Sequence, residues 1–290
     1  METPLTAHGI YRNRFMYSGS SGIAAAIAVT IVCFLERKRG ESSGTSLIST
    51  TGSGHLSASM DSSLCDQEPV SVALSALNLA VQFHGWVSFF ILINYKLPFR
   101  PNKTAYYEYS GLWHVYAIFA MNTWFWSAVF HSRDVELTER LDCSSGVALL
   151  AYSLFLAIVR AFNIRAEAAR VMIATPIFAF MITHILYLNF YDFNLGLNMK
   201  ACMAMGGVQM VVWAAWAGAT RHPSRRKLWM VVLGGALALL LEICDFPPYW
   251  GLVDAHAVWH ATTVPATYLW WSFVRDDSVF RTSALVKKTK

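Results

Sequence analysis

Two histidines four residues apart, His256 and His260, stand at the start of the last apolar stretch of the chain. Residues at this spacing share one face of a helix, so both imidazoles can reach a single metal ion. His131 ends an earlier apolar stretch and is the third candidate ligand. Three histidines leave the fourth position of a tetrahedral zinc ion for water, and zinc lowers the pKa of that water to about 7. The pattern therefore predicts a zinc site that can cleave an ester or an amide.

Other polar residues stand at the same predicted depth as these histidines. Ser127 precedes His131 by four residues, and Asp142 comes just before the next apolar stretch. Glu242 and Asp245 close the sixth apolar stretch. Ionisable groups in a membrane are costly and usually mark a functional site. Polar chemistry from four helices is thus expected at one end of the protein.

Each of these residues also has a purely structural interpretation. A single H-x-x-x-H at a helix end is a weak indication of metal, because interfacial histidines often only meet water. Ser127 alone is typical of helix packing, and Asp142 could cap a helix. His84 and His184 lack paired spacing and are interpreted as hydrogen-bonded packing residues, and His114 lies toward the other end. The coincidence of three histidines, a serine and an aspartate at one depth favours the metal site.

The composition indicates that the elements holding these residues lie in a membrane. Hydrophobic residues make up 55% of the 290 and charged residues 14%, against about 25% charged in soluble domains. This excludes a disordered chain and disfavours a water-soluble one. The net charge is +5, but no basic run is interleaved with aromatic residues as a nucleic-acid surface requires. No nucleic-acid partner is therefore predicted. The five cysteines form no C-x-x-C, which argues against a cysteine zinc site or a disulfide scaffold.

Seven apolar stretches are long enough to span a membrane, which takes about 20 residues. Only helices are reasonable there, because lipid cannot satisfy open backbone groups. The sequence therefore predicts an all-α, multi-pass transmembrane bundle of seven helices over residues 70–274. The predicted spans are 70–93, 109–130, 145–162, 171–190, 201–219, 228–246 and 256–274.

Lysine and arginine in the connectors predict the orientation of the bundle. The first, third and fifth connectors and the tail carry three, three, four and five of these residues, which all lie on one side. The opposite side has two in the second connector, none in the sixth, and Lys200 near the fourth. The positive-inside rule assigns the rich side to the cytosol. The N-terminal side of the bundle and the candidate site are then luminal, and the C-terminus is cytosolic.

The N-terminal segment, residues 1–69, has a different character. An apolar run over residues 22–35 follows Arg12 and Arg14, and a Ser/Gly-rich linker follows over residues 40–63. A cleaved signal sequence and a signal anchor that adds an eighth helix both fit this pattern.

The C-terminal segment, residues 275–290, is predicted to be a cytosolic basic tail. It ends in Lys287, Lys288, Thr289 and Lys290, a dilysine pattern. Coat proteins could read this pattern as a retrieval signal for the endoplasmic reticulum, or the tail could lie near anionic lipid.

Five motifs together resemble the post-GPI attachment to proteins factor 3 family, within the CREST superfamily of membrane hydrolases. The superfamily pattern is S-x-x-x-H on the second helix, an Asp eleven residues after that histidine, and H-x-x-x-H on the seventh helix. Here these are Ser127 with His131, Asp142, and His256 with His260. The matching stretches are residues 67–72, 121–134, 138–142, 241–248 and 254–260.

The resemblance implies a zinc ion on the three histidines, with Ser127 and Asp142 close to the reacting water. It implies that the substrates are GPI-anchored proteins, whose membrane lipid loses the sn-2 acyl chain in a phospholipase-A2-like step. In the expected mechanism, Asp142 takes the proton of the water and Ser127 donates a hydrogen bond to the oxyanion. Glu242 or Asp245 could orient a ligand histidine.

The dilysine pattern favours a location in the membrane of the endoplasmic reticulum, and the resemblance allows the Golgi apparatus, so either membrane or both are expected. The family usually carries a Cys-rich luminal region before the first span. Here the Ser/Gly-rich stretch stands in its place, and we expect weaker recognition of the protein substrate as a result.

Two other functions fit the same residues. An alkaline-ceramidase-like lipid amidase shares the site, although residues 67–69 and 245–248 favour the GPI function. A non-catalytic seven-helix lipid receptor with a structural zinc would bind metal without turnover. A G-protein-receptor-like bundle is disfavoured by the short connectors, and a transporter would place its ionisable groups near the middle of the membrane.

Overall fold

The computed structural model describes residues 69–99, 105–244 and 255–289, without the side chains of residues 241–244, 288 and 289. Three predictions lie outside this part of the chain. They are the signal or anchor at the N-terminus, the orienting role of Glu242 or Asp245, and the C-terminal dilysine pattern.

Seven helices account for nearly all of the described residues, which contain no β-strand beyond an isolated bridge between Phe99 and Ala105. A single π-helical turn, Leu92–Lys96, extends the first helix. The predicted all-α bundle of seven helices is therefore confirmed. The helices are α1 (Pro69–Ile91), α2 (Ser110–Ser132), α3 (Glu136–Ala161), α4 (Glu167–Phe190), α5 (Leu195–Ala219), α6 (Arg225–Cys244) and α7 (Ala255–Thr289).

Four segments of the described chain are long and apolar enough to cross a membrane. Helices α2, α6 and α7 fall outside this set although they are long enough. In α2 and α7, tryptophan, histidine and hydroxyl side chains lower the mean hydropathy, and these are the two helices that carry the candidate ligands. The four segments are Pro69–Lys96, Glu136–Ala161, Glu167–Phe190 and Leu195–Ala219.

The helices form a closed ring with one helix outside it. Along the ring α1 packs on α2, α2 on α3, α3 on α5, α5 on α6 and α6 on α7, and α7 returns to α1. Helix α4 packs on α3 and buries only His184 and Leu188. Apolar residues such as Met172 and Phe180 are exposed, as expected for a face toward lipid, whereas Ile173 and Phe178 are partly buried against the core. The ring brings α1, α2 and α7 together around the candidate site.

Close packing of α1 against α7 depends on one glycine. A Cβ atom at Gly85 would overlap the ring of Trp271 on α7. The missing side chain lets the two helices approach, and the indole of Trp271 donates a hydrogen bond to Gln82 on α1. Helix α7 is thereby fixed against α1 three turns below its histidines.

Two helix boundaries differ most from the predicted spans. Helix α3 begins at Glu136, nine residues before the predicted span. Helix α7 continues for 35 residues to Thr289 instead of ending at 274. At 1.5 Å per residue α7 is about 50 Å long, well beyond a hydrocarbon core of about 30 Å. The predicted tail is thus a direct continuation of the last helix.

Asp277 is the centre of a buried charge cluster at the end of the bundle opposite the histidines. It is fully buried, and Arg160 at the end of α3 binds both of its carboxylate oxygens. Tyr107 donates a 2.6 Å hydrogen bond to the same carboxylate. The Nε2 atom of His222 lies 3.5 Å away, and the backbone N–H of Ser224 donates to its Nδ1. This cluster ties α7 to α3 and to two connectors.

Burial governs the protonation of the two uncharged members of this cluster. It raises the pKa of Tyr107 well above the usual range, so the phenol remains a donor to Asp277. Burial also lowers the pKa of His222, so the imidazole is neutral near pH 7. Asp277 and Arg160 therefore carry the only full charges among these four groups.

We expect Asp277→Asn to lower the free energy of unfolding by about 3–5 kcal/mol, because it leaves the buried Arg160 charge uncompensated. The neighbouring variant Asp276→Asn is the matched control. Asp276 pairs with Lys227, and both side chains are about one-third exposed, so about 1 kcal/mol or less is expected. Denaturant unfolding in detergent micelles measures both. Equal losses would contradict the structural role of the cluster.

Candidate metal centre

The three predicted histidine ligands converge on one point. The Nε2 atom of His260 lies 3.2 Å from Nε2 of His131 and 3.0 Å from Nε2 of His256. The ligand atoms of all three residues lie within 4.8 Å of one another. His131 and His260 are buried, and His256 is half-buried. The structure thus brings together all three residues that the spacing selected.

This geometry fits a tetrahedral metal ion. Zinc–nitrogen bonds of 2.0–2.1 Å place two ligand nitrogens about 3.3 Å apart, close to the observed separations. A single proton on Nε2 of His260 cannot serve both neighbouring nitrogens. Lone pairs that point at one another in a buried site repel unless a cation lies between them. The donor set therefore fits zinc.

The ends of two helices position the ligands. His131 stands in the last turn of α2, and His256 and His260 occupy the first two turns of α7. Trp124 on α2 packs against the rings of both Trp259 and His260. These aromatic contacts fix the rotamer of His260 and exclude water from one side of the cluster.

Helix α1 holds the other side of the cluster. The side-chain amide of Asn78 donates hydrogen bonds of 3.0 Å to the backbone carbonyl of His260 and to Thr263. Thr263 also donates to that carbonyl. Pro265, two residues further on, lacks the backbone N–H that would bond to the carbonyl of Ala261, the residue after His260.

Asp142 lies within electrostatic reach of His256, but it stands inside α3 and not just before that helix as the sequence predicted. Because α3 begins at Glu136, Asp142 is inside the helix, and the alternative that it caps this helix is wrong. The half-buried carboxyl group interacts electrostatically with His256. Thr123 on α2 donates to the carbonyl of Ser145 on α3, which holds the two helices together at this depth.

Ser127 is buried one turn before His131 on α2. Its hydroxyl lies 3.2 Å from the hydroxyl of Ser75 on α1. Ser127 therefore stands on the same face of α2 as a ligand and also contacts the neighbouring helix. The catalytic role of Ser127, like that of Asp142, stays a prediction.

The other histidines of the predicted spans have environments of their own. Nε2 of His184 lies 3.2 Å from the side-chain oxygen of Asn198, which confirms its interpretation as a hydrogen-bonded packing residue. His84 is exposed on the surface of α1, so the packing interpretation is wrong for that residue. Nδ1 of His114 accepts a hydrogen bond from Trp86, away from the metal cluster.

Sequence reasoning missed the contribution of α1. Four polar residues, Ser71, Ser75, Asn78 and Gln82, are all buried on one face of this helix. Their spacing of four, three and four residues is that of a helix face. A polar face within an apolar span was the available signal, since it implies polar partners inside the bundle.

A cavity of about 270 Å³ lies between the start of α1 and the end of α2. It is mostly apolar, and Ser132, which follows His131, contributes to it. It is open on one side. The remaining lining residues are Pro69, Val72 and Ala73.

Comparison with known proteins gives consistent matches over the bundle. The Per1-like family model matches residues 62–278. GPI-specific phospholipase A2-like PGAP3 of Danio rerio is 35% identical over 218 residues, which are 74% of this chain and 66% of the relative. The Homo sapiens protein of that name is 36% identical over 219 residues, 74% of this chain and 64% of the relative. Post-GPI attachment to proteins factor 3 of Drosophila melanogaster is 33% identical over 210 residues, 72% and 61% respectively. The chain thus spans at most 66% of the length of these curated relatives.

We expect the purified protein to bind one zinc ion per chain, and His131→Ala, His256→Ala and His260→Ala each to lose it. Two imidazoles alone lack the third bond that closes the site. His184→Ala is the matched control, because that buried histidine is bound to Asn198 instead. Elemental analysis gives the stoichiometry, and a lower melting temperature after chelation should occur in wild type and the control only. Full zinc content in the His260 variant would overturn the assignment.

Proposed function

The chain belongs to the Per1-like family, and from this membership and the histidine cluster we propose that it remodels the lipid of GPI-anchored proteins. The reaction is a phospholipase-A2-like hydrolysis that removes the sn-2 acyl chain. The names of the relatives support the substrate class. The single observation that supports hydrolysis is the convergence of three imidazole nitrogens at one buried point.

The residues that would hold the metal are His131, His256 and His260. When bound there, zinc supplies Lewis acidity that lowers the pKa of water to about 7 and polarises a carbonyl group. The protein's own contribution is to fix the three nitrogens before substrate arrives. Packing of Trp124 and the bonds from Asn78 to α7 provide that rigidity.

Asp142 accepts the proton of the attacking water in this mechanism. A carboxylate next to cationic or polar partners can act as a general base, and Asp142 lies within electrostatic reach of His256. After attack on the sn-2 carbonyl, the same carboxyl group returns the proton to the departing lipid oxygen. The bond between the acyl carbon and that oxygen then breaks, which releases a fatty acid and a lyso-lipid.

Ser127 stabilises the negative charge that develops on the carbonyl oxygen. Its hydroxyl is buried, so a hydrogen bond from it acts in a medium of low dielectric and is stronger than in water. Its position one turn before His131 places it on the face of α2 that the ligand uses.

The cavity beside Ser132 provides a route for the acyl chain. It is lined mostly by apolar atoms and opens at the surface of the bundle between α1 and α2. A lipid in the adjacent leaflet could therefore present its ester to the histidines and keep its chains in an apolar environment.

The orientation that fits this substrate places the histidines in the luminal half of the membrane. The basic connectors and the continuation of α7 then face the cytosol, as the positive-inside rule requires. We propose residence in the membrane of the endoplasmic reticulum, the Golgi apparatus or both. Coat-protein recognition of the C-terminal lysines belongs to the same proposal.

We expect the purified protein in micelles to release the sn-2 fatty acid from GPI lipid and to leave ceramide intact. Asp142→Asn should lower kcat by about 100-fold or more, because the general base is lost. Ser127→Ala should lower it by a similar factor through loss of the oxyanion donor. Both variants should keep their zinc, and the exposed Asp192→Asn should behave like wild type. Mass spectrometry of the released lipids measures these rates.

Two outcomes would contradict this function. Release of a fatty acid from ceramide alone would assign the chain to the amidase function. Stoichiometric zinc with no turnover of either lipid would favour the receptor.

A further inference from the structure

The buried polar face of α1 requires an explanation, because polar groups in the interior of a membrane bundle must find partners. Ser75 and Asn78 are both fully buried on this face. Each contacts one of the two helices that carry histidines. Ser75 contacts Ser127 on α2, and Asn78 contacts the backbone of His260 on α7. Helix α1 thus touches the candidate site without contributing a ligand.

We propose that Ser75 is a positioning residue that orients the hydroxyl of Ser127 for catalysis. The inference rests on the proposed function, in which Ser127 donates to the oxyanion. The two hydroxyl oxygens are 3.2 Å apart, and both side chains are buried. A bond between them therefore forms without competition from bulk water.

Proton counting fixes the direction of that bond during the reaction. A serine hydroxyl has one proton and two lone pairs. If Ser127 gives its proton to the developing oxyanion, it has none left for Ser75. Ser75 must then donate to a lone pair of Ser127. The chain runs from Ser75 through Ser127 to the carbonyl oxygen, and each bond strengthens the next by polarisation.

Asn78 sets the depth at which this chain meets the metal ligands. It lies three residues after Ser75 on the same face of α1, and its amide holds the carbonyl of His260. One helix therefore fixes both the hydroxyl pair and the turn that carries a ligand. Because α1 carries both Ser75 and Asn78, Ser75 can fix the position of Ser127 relative to the histidines. No described hydrogen bond joins Ser75 to a histidine.

A double-mutant cycle with zinc content as the folding control tests the proposal. Ser75→Ala should lower kcat about tenfold with KM and zinc content unchanged, because only the orientation of one donor is lost. Ser75→Thr, which keeps the hydroxyl, should recover activity to within about threefold of wild type. In a Ser127→Ala background, Ser75→Ala should cause no further loss, since it acts through that residue.

The matched control is Ser153→Ala, which removes another buried serine hydroxyl, from a deeper turn of α3. It should leave kcat unchanged. Equal tenfold losses from Ser75→Ala in both backgrounds would overturn the positioning role and leave the proposed hydrolase intact. Loss of zinc in Ser75→Ala would overturn it as well, since the residue would then support the fold. An inactive, zinc-loaded wild type would instead reject the proposed function together with this inference.

Discussion

The constraint on which this structure depends is the meeting of three imidazole nitrogens at one buried point. A single proton on Nε2 of His260 cannot bond to both neighbouring nitrogens, and desolvation in a bundle interior makes lone pairs that face one another costly. The separations of 3.0 and 3.2 Å between Nε2 atoms match the edge of a zinc tetrahedron. Close helix contacts, such as that of α7 with α1 at Gly85, hold these three residues in an arrangement that fits a metal ion.

Polar groups concentrate at the two ends of the bundle, with an aromatic core between them. At one end the histidines and the polar face of α1 form the candidate metal centre. At the other end Asp277 and Arg160 bind each other away from water. Helix α7 belongs to both clusters, and tryptophans such as Trp270 and Trp271 fill the space between. The ion pair thus holds the same helix that carries His256 and His260. Contacts at both ends of α7 therefore fix the position of these histidines along the bundle.

Hydropathy and helical spacing were sufficient for the seven helices and for the convergence of the histidines. The H-x-x-x-H spacing fixes two ligands on one face, and chain alternation across a membrane returns His131 to the same end. Hydropathy records burial in lipid but not the extent of a helix, which is why it missed the early start of α3 and the continuation of α7. The contact of Ser75 with Ser127 was not predictable, because a serine in a span is compatible with simple packing and only the relative rotation of α1 and α2 selects a partner.

The depth of the cluster connects the fold to the chemistry of a lipid ester. His131 lies in the last turn of α2 and His260 in the second turn of α7, so the cluster lies within two turns of the helix ends, at most about 8 Å inside them. The ester carbonyls of a glycerolipid lie at the boundary between headgroups and hydrocarbon, at a comparable depth. A lipid need not leave the bilayer to present such a carbonyl to the histidines. Its headgroup, with any attached protein, stays in water, whereas a site at the middle of the membrane would have to desolvate that headgroup.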